Sequence, residues 1–99
     1  MASKHSRATH IQESESEAAV RSLNDLLATG QRYRSEGNLR QAEDIFWMLA
    51  EGHSETPQAE VARANLRALA HEFESDGCNH EARAIYERLI PSVTAAVDL

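Results

Sequence analysis

The chain has 99 residues, of which 41% are hydrophobic and 26% charged, and a formal net charge of −6. That length supports one modest core, and the acidity argues against a nucleic-acid grip, which needs a basic footprint. No apolar run approaches the ~18 residues of a membrane span, and the single cysteine, Cys78, excludes an internal disulfide or a CxxC metal knuckle. The opening segment lacks the apolar stretch of a secretory signal, so a cytoplasmic location is expected.

Four glycines and two prolines among abundant alanine and leucine favour helix. Residues 1–12 are polar, carry Lys4 and Arg7 against no acid, and hold one large aliphatic, Ile11. They read as a flexible tail, because so little apolar surface cannot offset the entropy of ordering. A single domain over 13–99 follows. Ser14 and Glu17 have capping-box spacing, and the helix after them shows an apolar stripe at Val20, Leu23, Leu26, Leu27, Gly30 and Tyr33. Gly37 is its expected stop. Asn38 is the expected cap of a second helix, with Gln41 completing a capping box. That helix carries Ala42, Ile45, Phe46, Leu49 and Ala50 on one face.

Thr56-Pro57 supplies a cap followed by the helical position where proline is welcome. The third helix carries Ala62, Leu66, Leu69, Ala70 and Phe73, and Gly77 stops it. The fourth carries Ala82, Ile85, Tyr86, Leu89 and Ile90, and Pro91 is expected to block its continuation. Ser92 then opens a short final turn through Val93 and Val97.

A shift of 40 residues lays one half on the other. Leu26 falls on Leu66, Gly30 on Ala70, Tyr33 on Phe73, Gly37 on Gly77, Ala42 on Ala82, Ile45 on Ile85, Phe46 on Tyr86 and Leu49 on Leu89. The pattern of small residue, aromatic, turn glycine, small residue and aromatic resembles the tetratricopeptide repeat, a helix–turn–helix unit of about 34 residues. The resemblance covers residues 20–91, with repeats over 20–54 and 57–91. It implies an all-α fold: two antiparallel helical hairpins forming a short right-handed α-solenoid. Three features depart from the family. Leu26 and Leu66 stand where it has tryptophan, Ser54 stands where it closes a repeat with proline, and the period is longer. The alternative is an ordinary four-helix bundle of two amphipathic hairpins.

No catalytic constellation emerges. His71, Cys78 and His80 lack a fourth metal ligand at any standard spacing, and His71-Glu72 is not followed by the second histidine of HExxH. Glu17 with Arg21, Glu36 with Arg40 and Arg83 with Glu87 are helical pairs that need no catalytic role. The expectation is a non-enzyme without cofactor or metal, binding a protein or peptide partner but neither nucleic acid nor membrane.

In the family, ligands lie along the first helix of each repeat. Carried over, that face is Asn24, Leu27, Gln31 and Arg34, then Ala64, Arg67, His71 and Glu74, with the two arginines favouring an acidic ligand. Leu27 and Gln31 stand where the family's clamp for C-terminal carboxylates needs lysine and asparagine, so that adaptor role is excluded. An adaptor, assembly factor or dedicated chaperone remains, with a structural self-assembling subunit as the rival and a helical metal or thiol protein using His71, Cys78 and His80 as a third reading. Trp47 and Met48 fall where the second repeat has Glu87 and Arg88. They are therefore read as a contact surface outside the core, covered by the long N-terminal helix, by the tail through Ile11, or, as the enrichment of such residues at interfaces favours, by a partner or a second copy in a homodimer.

Overall fold

The computed structural model describes residues 14–97, with side chains described through Pro91. The segment read as a tail, 1–12, lies outside the described residues. Within them the chain is all-helical: α1 spans Glu15–Ser35, α2 Leu39–Gly52, α3 Pro57–Ser75 and α4 Asn79–Val97. None of these helices is long and apolar enough to cross a membrane.

The helix starts differ in how well they are capped. At α1, Ser14 Oγ accepts from the Glu17 amide at 3.1 Å, and the Ser14 amide donates to Glu17 Oε1 at 3.2 Å. At α3, Thr56 Oγ1 accepts from the Ala59 amide at 3.1 Å, with Pro57 next in line. Both cap residues have extended ψ angles, 152° and 155°. Asn38 has ψ 71° and makes no side-chain cap bond, which corrects the expected box with Gln41. Its backbone is already committed to closing α1, so it cannot also adopt the extended geometry that a cap needs.

That closure is built twice. The Gly37 amide donates to the Arg34 carbonyl at 3.0 Å and the Asn38 amide to the Tyr33 carbonyl at 2.8 Å. Forty residues on, Gly77 donates to Glu74 at 3.0 Å and Cys78 to Phe73 at 2.7 Å. Each is the paired-bond termination in which the residue after the cap is left-handed, and both glycines have φ of 83°. Glycine takes that conformation without the Cβ clash other residues meet.

Each helix packs on the next, and α1 also touches α3. Phe46, Leu49, Leu66, Leu69 and Ile85 are the largest fully buried side chains. Each stabilises the fold by about 1.5–3 kcal/mol relative to exposure. Ala42, Ala62, Ala70 and Ala82 are buried between them and let the helix axes approach. α1 and α2 come close at Gly30, where an added Cβ would lie 2.8 Å from Phe46 Cε1 and 3.2 Å from Ile45 Cγ2. Pro91 does not end α4, which runs on to Val97. Proline removes one backbone donor, and the carbonyl it frees belongs to the exposed Glu87, within reach of water.

Candidate functional site: the face shared by α1 and α3

Polar side chains join α1 to α3 at two levels. Near one end, Gln58 Nε2 donates to Asn24 Oδ1 at 2.8 Å. Near the other, Arg34 Nη1 donates to Asn65 Oδ1 at 2.9 Å while Nη2 bonds Glu72 Oε2 at 2.6 Å. Asn65 is held for this role by its own Nδ2, which donates to the Val61 carbonyl at 2.9 Å. Gln58, Asn65 and Glu72 recur every seven residues, so α3 presents one polar stripe to α1.

This places the expected surface residues unequally. Asn24 and Arg34 are engaged in the seam, with half-buried Leu27 on the same side of α1 and Gln31 exposed. On α3 the residues that answer α1 are Gln58, Asn65 and Glu72 rather than Arg67, His71 and Glu74. Glu74 instead accepts from Tyr86 Oη of α4 and faces His71 Nδ1, each at 3.3 Å. The Tyr86 phenol is pushed up from its ordinary range, first by partial burial and then by the Glu74 carboxylate. Ala64 and Arg67 are exposed. His71 does join Arg34, with Ala68, Glu72, Ser75 and Asp76, around an open depression of about 450 Å³. The seven-residue recurrence of polar residues on α3 was the available signal for the seam.

Arg34 is thus not a free cation. Its charge is matched by Glu72 and its guanidinium fixed by two acceptors; Arg21 of α1 is exposed, as is Arg67 on the side of α3 turned away from α1. Exposed apolar surface is present on both helices: Val20 of α1 is 48% exposed and Val61 of α3 40%. Among the described residues, no group of three or more His, Cys, Asp or Glu is arranged to hold a metal ion. Cys78 is half-buried in the second turn, where its carbonyl accepts from the Ala82 amide at 3.2 Å.

On the opposite side, the structure corrects the reading of Trp47. It is 4% exposed and belongs to the core, because Arg88 of α4 stacks its guanidinium 4.3 Å from the ring centroid. Arg88 then grips Glu51 with two bonds of 2.7 Å, and Trp47 Nε1 donates to Glu43 Oε2 at 3.1 Å. The Arg88 hydrogen bond holds the Glu51 carboxyl below its ordinary pKa. Pattern comparison placed Arg88 at a solvated position, but a long arginine covers apolar surface with its stem and plane. Met48 is exposed.

The chain matches no protein-family model, and no curated protein or solved structure matches it.

Proposed function

We propose that the protein is a non-catalytic interaction module of the tetratricopeptide type, in which two stacked hairpins hold a partner segment along the exposed side of α1 and α3. The observation that carries this reading is the duplicated hairpin: the same turn bonds at Tyr33–Asn38 and Phe73–Cys78, forty residues apart. The α1–α3 contact supports it further, because two equivalent first helices side by side make a shared face. Arg67 supplies an open positive charge and Val20 and Val61 supply apolar contact. A partner segment with both apolar and acidic groups fits that chemistry. The proposed setting is the cytoplasm, and the role adaptor, assembly factor or dedicated chaperone, without metal or cofactor.

The test compares the full chain with a Gln31→Glu/Arg67→Glu variant, both changes being at exposed positions. Captured from its own cells, the unaltered chain should retain a protein whose chemical cross-links fall on α1 and α3, and the variant should lose it. Equal retention would exclude this face. One observation favours a second reading, a self-assembling structural subunit: Ile90, on the last helix, is 64% exposed. Light scattering separates the two, since a concentration-independent monomer removes self-assembly.

A further inference from the structure

Burial differs between residues forty apart, and the differences show which faces a neighbouring hairpin covers. On the second helices, Trp47 and Ala50 of α2 are buried, while their counterparts on α4, Glu87 and Ile90, are exposed. The cover over α2 comes from the helices that follow it, and among the described residues no helix follows α4. On the first helices, Ala59, Ala62, Leu66 and Leu69 of α3 are fully buried. Their counterparts on α1 are Ala19 and Ser22, which are exposed, and Leu26 and Thr29, which are half-buried. These four are spaced i, i+3, i+7 and i+10, so they share one side of α1. That side is closed on α3 because α3 packs on the preceding α2. The described hairpins therefore leave two faces open, α4 at Ile90 and α1 at Ser22. They are the two halves of the contact that α2 and α3 make with each other.

We propose that these faces join two copies of the chain head to tail, with α1 of one copy lying on α4 of the other as α3 lies on α2. This names the surface for the self-assembly reading of Ile90 and rests on it. The bonds inside the chain, carried on by forty residues, identify the groups that meet. The amide pair Asn24–Gln58 becomes Ala64 with Ala18 of the second copy, two exposed small residues that bury no unpaired polar side chain. The ion pair Arg34–Glu72 becomes Glu74 with Arg32 of the second copy, opposite charges in exchanged places. Asp25 takes the place of Asn65 and lies two turns before Arg32 on the same side of α1, so Arg32 answers two carboxylates. The Arg88 cover over Trp47 and Glu51 becomes Met48 of the second copy over Glu87 and Pro91. Met48, 52% exposed in the single chain, thereby gains an apolar neighbour. Bulk is exchanged as well, Ile90 for Ala50 on one face and Thr29 for Leu69 on the other. The contact uses Ser22 and Leu26 of α1, not Asn24 or Gln31, so joined copies lengthen the face shared by α1 and α3. Because it pairs two different faces, each copy keeps one face free, and copies add into a ring or an open row.

The experiment measures mass by light scattering over a range of concentrations for the full chain, for Ile90→Glu and for Ser22→Arg. Ile90 and Ser22 are both exposed in the single chain, so each variant should fold, as circular dichroism and Trp47 emission verify. Ser22 stands at the place of the fully buried Ala62, so an arginine there blocks the α1 face, while Ile90→Glu blocks the α4 face. The unaltered chain should grow several-fold in mass with concentration, and each variant alone should stay at the mass of one chain. Mixed in equal amounts, the two variants retain one intact face each and should form a capped pair of two chains that grows no further. A chain that is a monomer at every concentration would overturn this proposal together with the self-assembly reading. Assembly that Ser22→Arg leaves intact, a plateau at two chains for the unaltered protein, or a mixture that stays at one chain would overturn this proposal alone.

Discussion

Gly30 lets the Phe46 ring lie fully buried against α1, whereas in the second hairpin Ala70 stands at the equivalent position and Tyr86 remains half-buried. The same two positions thus serve different ends. One hairpin gains a tight apolar crossing, and the other keeps a phenol at its edge, bonded to Glu74. A second contrast runs the other way: Leu23 is a plain core residue, while its counterpart Arg63 is 4% exposed and leaves Nη1 without a hydrogen-bond partner. The turns are shared, so the hairpins differ in packing and not in chain path.

The largest expected effect breaks the first contrast. Phe46→Ala should cost about 3–5 kcal/mol in urea unfolding, as for other fully buried aromatics. Tyr86→Ala should cost clearly less, because its ring is already half in water. Equal losses would mean that the two aromatics carry the same share of the core. Gly30→Ala sharpens the point at lower cost. The methyl group must displace the Phe46 ring, costing about 1–3 kcal/mol, which outweighs the ~1 kcal/mol gained from better helix propensity. A more stable Gly30→Ala protein would show that the ring moves freely. Ala82→Leu, at a position 1% exposed, should fall in the same 1–3 kcal/mol range by overpacking.

Arg63→Leu copies the first hairpin into the second and should raise the unfolding free energy measured in urea by about 1 kcal/mol or more. A buried guanidinium with one orphaned nitrogen commonly gives way to a hydrophobic residue without loss. The partner carboxylate is that of Glu60, which is itself exposed and tolerates the loss of its arginine.

The smallest effect concerns pH. The Glu51 carboxyl titrates below its ordinary value of 4.5 because Arg88 bonds its charged form. Its pKa is therefore lower folded than unfolded. The stability it contributes is present above the unfolded value and is lost as pH falls through the folded one. Both side chains are about half exposed, so solvent screening limits this to a few tenths of a kcal/mol. Glu51→Gln should flatten the acid limb of the stability profile below pH 4.5 by that small amount. Arg88→Ala should additionally shift Trp47 emission to the red, since the ring loses its cover.

Helix boundaries set by local chemistry were legible in the sequence. Ser14 with Glu17, Thr56 with Pro57, and Gly37 and Gly77 all act within a turn of where they stand. The misreadings arose where one residue had two duties or reached across the fold. Asn38 closes α1 and so cannot cap α2. Trp47 is buried by an arginine forty-one residues away, which no one-helix pattern contains. The α3 side chains that bond α1, Gln58, Asn65 and Glu72, were not singled out, because equivalence between repeats does not say which neighbour each face meets. Asn24 and Arg34 of α1 look towards α3, while their counterparts forty residues on, Ala64 and Glu74, do not bond α1.

The sequence of contacts, each helix against the next with α1 also touching α3 and Arg88 of α4 reaching Trp47 and Glu51 of α2, carries a consequence for cooperativity. Opening of either outer helix leaves the contact between α2 and α3 in place. Hydrogen exchange should therefore be graded along the chain, slowest in α2 and α3 and faster towards the outer turns of α1 and α4. A chain built this way can loosen at either edge to admit another helix while its middle stays closed.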